Sequence, residues 1–462
     1  MTGIVGEKNV LTGRDAAPYG KDRTGKYAAQ PLVVVRPGNT AEVSWILRLA
    51  NDTATPVVPV SGNSGLVGGT HAPDALMLSL ARMNQIQDIR ADARIAIVQA
   101  GVILSSLHDA TDKLGLAFPL FFGARGTAMI GGALSTNAGG SNVLRYGNMR
   151  ALCLGLEVVL PDGEVMNLMS ELHKDNSGYD LKDLFIGAEG TLGVITAAVL
   201  KLVAKPRAYA TAMVAAASLA DALKLLNRLQ EATGGIVEAF EFMPRTYLRR
   251  LAEVRPDLVP PLGLDHDCTI LVELGATAPR DATPADDGSI PVNELLETAL
   301  AEMVEGGLAT DAVVSRSDAQ RQNMWAIREA AVEITMGRSP RIDADVAVAL
   351  DRVSTFLDSA LAGLAKIDPD AETITVSHLG DGNVHFAVWP TSGDQDLMDR
   401  ILTMIEEVTA NLGGTFSAEH GIGLSKLGSM RRHKDPVAMA VMARIKRAID
   451  PKGIMNPGKV IP

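Results

Sequence analysis

The sequence predicts a mixed α and β protein of more than one domain: an α/β part to about residue 205, an α+β part, and a tail. Two observations support this prediction. The length of 462 residues exceeds what one hydrophobic core usually serves. A strand, a helix and a second strand open the chain, whereas the residues after Pro206 combine helices with long strands and a hairpin.

The first part begins with a β-α-β unit. Short apolar, β-branched runs at 31–37 and 55–60 predict two strands. Between them, Asn39 and Glu42 have capping-box spacing at the start of a helix. The buried face of that helix is expected to contain Val43, Ile46, Leu47 and Ala50. Further strands are expected at 94–100, 152–160 and 194–203.

The second part is typical of an antiparallel sheet covered on one side by helices. A strand is expected at 268–276, and residues 372–390 predict two strands around a Gly-Asp-Gly-Asn turn. An amphipathic helix follows and ends at Gly413. The expected domain boundaries are 1–205, 206–417 and 418–462.

Composition indicates a well-packed globular protein and argues against some classes of binding partner. Hydrophobic residues make up 47% of the chain and charged residues 21%. The net charge of −11, without a basic run, argues against a nucleic acid or an anionic membrane as partner. Cys153 and Cys268 lack metal-ligand spacing and are expected to be buried thiols. No stretch has the length of a membrane span or the character of a signal sequence, so we expect a soluble, cytoplasmic protein.

Three glycine-rich segments lie in the first part, at 61–69, 130–140 and 186–196. The first lacks both the G-x-G-x-x-G spacing of a Rossmann site and the G-K-[ST] of a P-loop. Glycines after a strand nevertheless let successive backbone N–H groups converge on an anion. Three such loops in one domain favour a large phosphate-bearing ligand such as a dinucleotide, and tight surface turns are the alternative.

The same segments resemble a flavoprotein superfamily. PVSGNSGLVGG (59–69), IGGALSTNAGG (130–140) and GYDLKDLFIGAEGTLGVIT (178–196) are similar to the FAD-binding domain of the vanillyl-alcohol oxidase/p-cresol methylhydroxylase superfamily. They most resemble its D-2-hydroxyacid dehydrogenase branch, which includes D-lactate dehydrogenase, the glycolate oxidase FAD subunit and D-2-hydroxyglutarate dehydrogenase. The tail IMNPGKV (454–460) is similar to the same branch, and the resemblance extends in order from about residue 30 to the end.

The resemblance implies an α+β fold: a two-subdomain FAD-binding domain of the p-cresol methylhydroxylase type, an antiparallel-sheet-plus-helices substrate domain, and a C-terminal segment that returns to the flavin. FAD is expected to be noncovalent, because Asn63 or Ser64 stands where some members attach flavin through histidine, and His71 is expected to be structural. The residues expected to contact FAD are Ser61, Gly62, Asn63, Ser64, Gly65, Leu66, Pro119, Gly123, Gly131, Gly132, Thr136, Asn137, Gly139, Gly140, Glu189, Gly190, Val194, Ile195 and Asn456.

The hairpin has a histidine on each side of its turn, His378 and His385. Residues that flank such a turn approach each other across the strands, so the two imidazoles could hold one cation. Glu419, in SAEHGIG (417–423), would complete a set of two histidines and one carboxylate suited to zinc, manganese or iron. The alternative is that both histidines are simply packed.

Two further motifs resemble those of the metal-dependent members, HLGDGNVH (378–385) and AEHGIG (418–423). The resemblance implies that His378, His385 and Glu419 bind a divalent metal, zinc before manganese or iron, and that His420 is the catalytic base. Histidine is the side chain best suited to proton transfer near neutral pH.

A third motif, NMWAIREA (323–330), resembles the W-x-x-R-E segment of the family. It implies that Arg328 binds the substrate carboxylate, which a guanidinium group matches in shape and charge. From the residues alone, a salt bridge on the helix surface with Glu329 or Glu333 is the alternative.

Three positions depart from the pattern of members that act on 2-hydroxyglutarate. Val332, Asp343 and Ala387 replace a threonine, a lysine and an asparagine. An aspartate in place of a cation would repel a second carboxylate, unless Arg338 or Arg341 compensates. The substrate therefore stays open between D-lactate, D-2-hydroxyglutarate and another D-2-hydroxy acid.

The expected function is oxidation of a D-2-hydroxy acid to the 2-oxo acid, with hydride transfer to FAD and help from a divalent metal. The alternatives are a metal-free flavin oxidase of an alcohol or phenol, a transferase of the alkyl-glycerone-phosphate synthase type, and an electron-transfer or regulatory flavoprotein. The electron acceptor stays open between a quinone, a carrier flavoprotein, a partner subunit and oxygen. The sequence also leaves a homodimer open.

Overall fold

The computed structural model describes all 462 residues and divides them into two compact units. The first unit comprises Met1–Gly139, Tyr146–Lys205 and Glu419–Pro462, and the second comprises Gly140–Arg145 and Pro206–Ala418. None of the helices combines the length and the apolar character needed to cross a membrane. Both units mix helices and strands, which confirms the predicted fold class.

The first unit contains two sheets that both contribute residues to one apolar core. The strands of the smaller sheet are, in spatial order, Val10–Leu11, Val33–Val35, Leu76–Ser79 and Val57–Val60. Those of the larger, antiparallel sheet are Ile86–Arg90, Ile95–Gln99, Val194–Lys201, Cys153–Val159 and Val165–Leu168. A separate ladder pairs Leu116–Ala117 with Val203–Ala204.

The helices of the first unit are mostly short. They are Thr2–Val5, Thr40–Asp52, Leu104–Asp112, Ile130–Ser135, Met149–Leu152, Lys182–Phe185, Leu427–His433 and Pro436–Ile449. A further helix, Val143–Tyr146, contains the point at which the chain returns from the second unit to the first.

The predicted β-α-β opening is confirmed, together with its capping box. The Asn39 side chain accepts the N–H of Glu42 at 2.9 Å, and the Glu42 carboxylate accepts the N–H of Gly38 at 2.7 Å. The four residues predicted to form the apolar face are all fully buried. The two flanking strands are not neighbours, because Leu76–Ser79 lies between them and runs parallel to both.

The second unit is built on one seven-stranded antiparallel sheet. Its strands are, in spatial order, Ala309–Val314, Ala208–Ala216, Cys268–Ala276, Val237–Pro244, Glu372–His378, Asn383–Trp389 and Ile342–Ala347. Its helices are Leu219–Thr233, Arg245–Val254, Pro279–Ala282, Pro291–Glu305, Asp318–Glu329, Ala331–Met336, Val353–Ile367 and Gln395–Asn411.

Helices cover both faces of this sheet, so the prediction of one covered face is wrong. The face with the larger core packs against Leu219–Thr233, Pro291–Glu305, Val353–Ile367 and Gln395–Asn411. The opposite face packs against Arg245–Val254, Asp318–Glu329 and Ala331–Met336. The reason is visible in single strands: Phe240 and Phe242 point to the first face, whereas Met243 and Leu271 point to the second. A sheet that is apolar on both faces has to be covered on both.

We expect Asn39→Ala to lower the free energy of unfolding of the first unit by about 1 kcal/mol, because the N–H of Glu42 would lose its acceptor. Urea unfolding of the flavin-free protein measures the change. The control is Asn51→Ala in the same helix, which improves helix propensity and breaks no cap. Equal effects of the two substitutions would contradict the role given to the cap.

Candidate active site

The two hairpin histidines share one face of the sheet, as predicted. His378 stands opposite Asn383 and His385 stands opposite Val376, so the histidines are diagonal neighbours. Their ring centroids are 5.4 Å apart and the rings are nearly perpendicular. A ring nitrogen of one lies within 4.8 Å of a ring nitrogen of the other. This separation allows both imidazoles to contact one divalent ion.

The buried carboxylate of Glu241 joins two of the predicted site residues. Glu241 lies directly opposite His378 on the neighbouring strand and is 1% exposed. Its Oε1 is 2.8 Å from Nδ1 of His378, and its Oε2 accepts a hydrogen bond of 2.8 Å from Nε of Arg328. Burial by itself would raise the pKa of Glu241, but the charges and hydrogen bonds of His378 and Arg328 hold it below its ordinary value.

Arg328 lies near the end of the helix Asp318–Glu329, and its side chain is 10% exposed. It pairs with Glu241, whereas Glu333, one of the alternative partners, pairs with Arg255 at 3.2 Å. The Nη2 atom of Arg328 is buried and has no hydrogen-bond partner within the protein. A buried guanidinium N–H group without a partner can donate a hydrogen bond to an anionic ligand.

A second buried carboxylate, Asp345, stands opposite His385 in the sheet. Its Oδ1 is 4.0 Å from Nδ1 of His385 and accepts a hydrogen bond of 3.0 Å from Nδ2 of Asn383. Neither Glu241 nor Asp345 is among the residues that the sequence predicted for the site. The available signal was an acidic residue inside an otherwise apolar strand, because such a residue is seldom buried without a partner.

In the first unit, Glu189 holds the glycine turn that follows Glu419 and His420. Its carboxylate accepts the N–H groups of Ile422 at 2.7 Å and Gly423 at 2.9 Å. Burial raises the pKa of Glu189, and these two hydrogen bonds offset part of that rise. The Nε2 atom of His420 is 3.7 Å from Oε1 of Glu419. Glu189, expected as an FAD contact, therefore also positions the segment that contains the predicted base.

Glycine is required at position 421, in the middle of this turn. Gly421 has a φ of 81°, and a Cβ atom there would lie 2.8 Å from Oε1 of Glu189. The glycines of the AEHGIG motif thus allow the backbone to wrap closely around a buried carboxylate.

Asn456 ties the C-terminal tail to two glycine segments of the same unit. Its Nδ2 donates to the carbonyl oxygens of Gly69 at 3.1 Å and Glu189 at 2.7 Å. Its backbone N–H donates to the carbonyl of Val57. Its Oδ1 is buried without a hydrogen-bond partner. Such an atom is available to a ligand that has a hydrogen-bond donor, and a flavin ring has one.

A cavity of about 480 Å³ lies in the first unit. It is lined by residues expected to contact FAD, namely Gly62, Asn63, Ser64 and Gly123, and by six others, Lys21, Asp22, Arg23, Ala124, Gly126 and Thr127. Lys21 and Arg23 were not predicted to line this site, because isolated basic residues in an irregular N-terminal stretch do not form a recognisable motif. Their charges are complementary to a pyrophosphate.

The backbone at Gly62 approaches Thr127 closely, since a Cβ atom at position 62 would lie 2.0 Å from the carbonyl oxygen of Thr127. Gly131 is similarly close to Ala100, at the start of the helix Ile130–Ser135. The remaining expected FAD contacts also lie in the first unit, apart from Gly140, which belongs to the second. The close-packed glycines, the cavity and the unpartnered Asn456 oxygen fit FAD.

Comparison with known proteins identifies the family to which the chain belongs. The family model "FAD linked oxidases, C-terminal domain" matches residues 205–460, and "FAD binding domain" matches residues 31–169. The chain therefore belongs to the family of FAD-linked oxidases. The solved structure of p-cresol methylhydroxylase with substrate bound has the same fold, with a TM-score of 0.74 at 17% identity, over 99% of this chain and 95% of the other.

Two relatives define the branch of the family. Mitochondrial D-2-hydroxyglutarate dehydrogenase of Bos taurus is 36% identical over 433 residues, which are 93% of this chain and 77% of the relative. D-2-hydroxyglutarate dehydrogenase of Xanthomonas citri pv. viticola is 34% identical over 452 residues, 96% of this chain and 92% of the relative. The resemblance noted in the sequence is thereby confirmed: the chain is an FAD-dependent dehydrogenase of D-2-hydroxy acids.

We expect Gly62→Ala to lower the melting temperature of the flavin-free protein, because the new methyl group would overlap the Thr127 carbonyl and the backbone would have to shift. Gly65→Ala is the comparison, since a Cβ atom there meets no atom within 4 Å. Thermal unfolding measures both, and equal melting temperatures would contradict the close approach. Loss of bound FAD from Gly65→Ala alone would show contact between that position and the cofactor.

Proposed function

We propose that this protein oxidises a D-2-hydroxy acid with a single carboxylate to the 2-oxo acid, using noncovalent FAD and one divalent metal ion. The observation that best supports the proposal is on one face of the sheet in the second unit. There Glu241 joins Arg328, which has an unpartnered buried nitrogen, to His378, which is a diagonal neighbour of His385. This arrangement supports the proposal because Arg328 is suited to binding an anion and the two histidines are suited to binding a metal ion.

His378, His385 and Glu419 are the proposed metal ligands, with zinc as the first candidate and manganese and iron as alternatives. The paired imidazoles support two of these assignments. Connectivity supports the third: Ala418 donates its N–H to the carbonyl of Asp345, which stands opposite His385, and Glu419 is the next residue in the chain. A divalent ion in such a site lowers the pKa of a hydroxyl group that it binds.

In the proposed reaction, Nη2 of Arg328 binds the substrate carboxylate, because its Nε is already used by Glu241. His420 accepts the hydroxyl proton, and the glycine turn held by Glu189 restricts its position. FAD would supply the two-electron acceptor for the α-hydrogen. In this proposal, residues 1–205 bind FAD, and residues 206–417 bind the substrate and contribute the ligands His378 and His385. The returning segment 418–462 contributes the ligand Glu419 and the base His420.

The preference for one carboxylate rests on the charges near Asp343. Asp343 stands opposite Ala387, one residue pair further along the face that contains His385. Its carboxylate pairs with Arg341 at 2.6 Å, and Arg338 pairs with Glu372 at 2.8 Å while it stacks on Trp389. Arg341 thus compensates the charge of Asp343, and neither arginine is left free to bind a second carboxylate of the substrate. The relatives' name makes D-2-hydroxyglutarate the competing candidate.

We expect removal of the metal to slow flavin reduction by a D-2-hydroxy acid at least ~100-fold, because the hydroxyl group would lose its activation. Anaerobic stopped-flow measurements before and after treatment with EDTA test this, with added Zn²⁺ or Mn²⁺ to restore the rate. His385→Ala should lower the metal content in parallel, whereas His173→Ala, in an exposed segment, should not. An unchanged rate in demonstrably metal-free enzyme would favour a metal-free flavin oxidase.

We expect D-lactate and D-2-hydroxybutyrate to reduce the flavin with a higher kcat/KM than D-2-hydroxyglutarate, because Arg341 and Arg338 are already paired with Asp343 and Glu372 and are not free to bind a second carboxylate. Asp343→Asn should raise the relative kcat/KM for D-2-hydroxyglutarate about tenfold. Asp370→Asn, at an exposed position, is the control. Faster reduction by D-2-hydroxyglutarate in the unmodified enzyme would refute the single-carboxylate preference, and reduction by L-lactate alone would refute the D-acid assignment.

A further inference from the structure

We propose that Glu241 is a positioning residue that couples the substrate-binding arginine to the metal-binding histidines. This inference rests on the proposed function, because it assigns Arg328 and His378 the roles given above. Glu241 itself is expected to touch neither substrate nor metal. It acts through its two partners, each held at 2.8 Å.

The burial of Glu241 is the first argument. A carboxylate that is 1% exposed loses nearly all its hydration, and two charge-assisted hydrogen bonds only offset that loss. Buried ion pairs can often be replaced by apolar side chains without loss of stability. The flanking Phe240 and Phe242 pack into the opposite face, so the strand does not depend on Glu241 for its core. Packing alone therefore does not explain a charged side chain at position 241.

The contact with His378 sets which ring nitrogen is protonated. A carboxylate beside Nδ1 favours the proton on Nδ1, which leaves the lone pair of Nε2 for a metal ion. The same contact restricts rotation of the ring and increases the basicity of Nε2. Since Glu241 and His378 are directly opposite in the sheet, the backbone itself fixes this geometry.

The contact with Arg328 sets which guanidinium nitrogens stay available. Glu241 uses Nε and leaves Nη2 buried without a partner. The helix that contains Arg328 is also fixed to this face, because the hydroxyl of Tyr247 donates to the carbonyl of Ile327 at 2.5 Å. The guanidinium plane is therefore restrained both at the carboxylate and through its helix.

One carboxylate thus orients two binding groups, and its removal should change both binding constants. A purely structural role would lower stability without that joint effect. The same helix and sheet provide a matched comparison in Glu273, which is 4% exposed and forms two hydrogen bonds with Arg321. Glu273 is a buried strand glutamate paired with an arginine, but it contacts no histidine in the site.

The test compares Glu241→Gln with Glu273→Gln in the full-length holoenzyme. In Glu241→Gln the amide can still accept from Arg328, but its NH₂ group favours an unprotonated Nδ1 and hence a protonated Nε2 on His378. We expect the Kd for Zn²⁺, measured by chelator competition on the oxidised enzyme, to rise ~10–100-fold. We also expect the Kd for pyruvate, measured from the flavin spectrum of metal-free enzyme, to rise about tenfold, because a neutral amide restrains the guanidinium group of Arg328 less than the carboxylate does.

Two further variants distinguish loss of the positioning role of Glu241 from general destabilisation of the protein. Glu273→Gln should lower the melting temperature but leave both dissociation constants unchanged. Arg328→Met should raise the Kd for pyruvate by a larger factor than the Kd for Zn²⁺, because it removes the anion-binding group but leaves Glu241 in contact with His378. If Glu241→Gln is insoluble, Glu241→Asp replaces it, since its shorter carboxylate cannot reach both partners, and at least one of the two constants should rise.

The outcomes distinguish failure of this inference from failure of the proposed function. Unchanged constants in the Glu241 variant, with tight Zn²⁺ binding in the unmodified enzyme, would overturn the positioning role alone. Equal losses in the Glu241 and Glu273 variants would also overturn it, because they would indicate general destabilisation. Absence of Zn²⁺ binding in the unmodified enzyme would instead overturn the metal site of the proposed function.

Discussion

The organisation of the first unit depends most on the hydrogen bonds that Glu189 forms. It accepts two backbone N–H groups from the turn after His420, while its own carbonyl accepts the side chain of Asn456. Its backbone N–H donates to Ser135 in the second glycine segment. Glu189 therefore connects its own glycine segment with the segment 130–140, the turn after His420 and the tail at 454–460. These four stretches are far apart in the sequence.

The second unit shows a related use of buried charge. Glu241 and Glu273 both lie on strands and both pair with arginines of the helix Asp318–Glu329. Each acidic side chain is nearly inaccessible to water, so each needs a cation close by. These pairs dictate how the helix is rotated on the sheet, because an arginine displaced from its glutamate would leave a buried charge without compensation. Exposed pairs such as Arg338 with Glu372 impose much weaker constraints.

Local patterns in the sequence predicted the fold and part of the site. Alternation along the hairpin was enough to place His378 and His385 on one face, and cap spacing was enough to locate the helix after Asn39. Glu241 and Asp345 could not be predicted in the same way. Their partners lie more than 30 residues away along the chain, so only the strand pairing reveals them. The position of helices on the second face was not predicted, because the local periodicity of a helix does not indicate which face of a sheet it covers.

The path of the chain has a consequence for how the protein is made. Residues Glu419–Pro462 belong to the unit that begins at Met1, whereas Pro206–Ala418 belong to the other unit. During translation the second unit can fold as soon as its own residues emerge, but the first cannot be completed until Asn456 has left the ribosome. The first unit therefore stays incomplete while residues 206–418 are being synthesised. Stable binding of the cofactor is therefore expected only after the segment that contains Asn456 has folded onto the first unit.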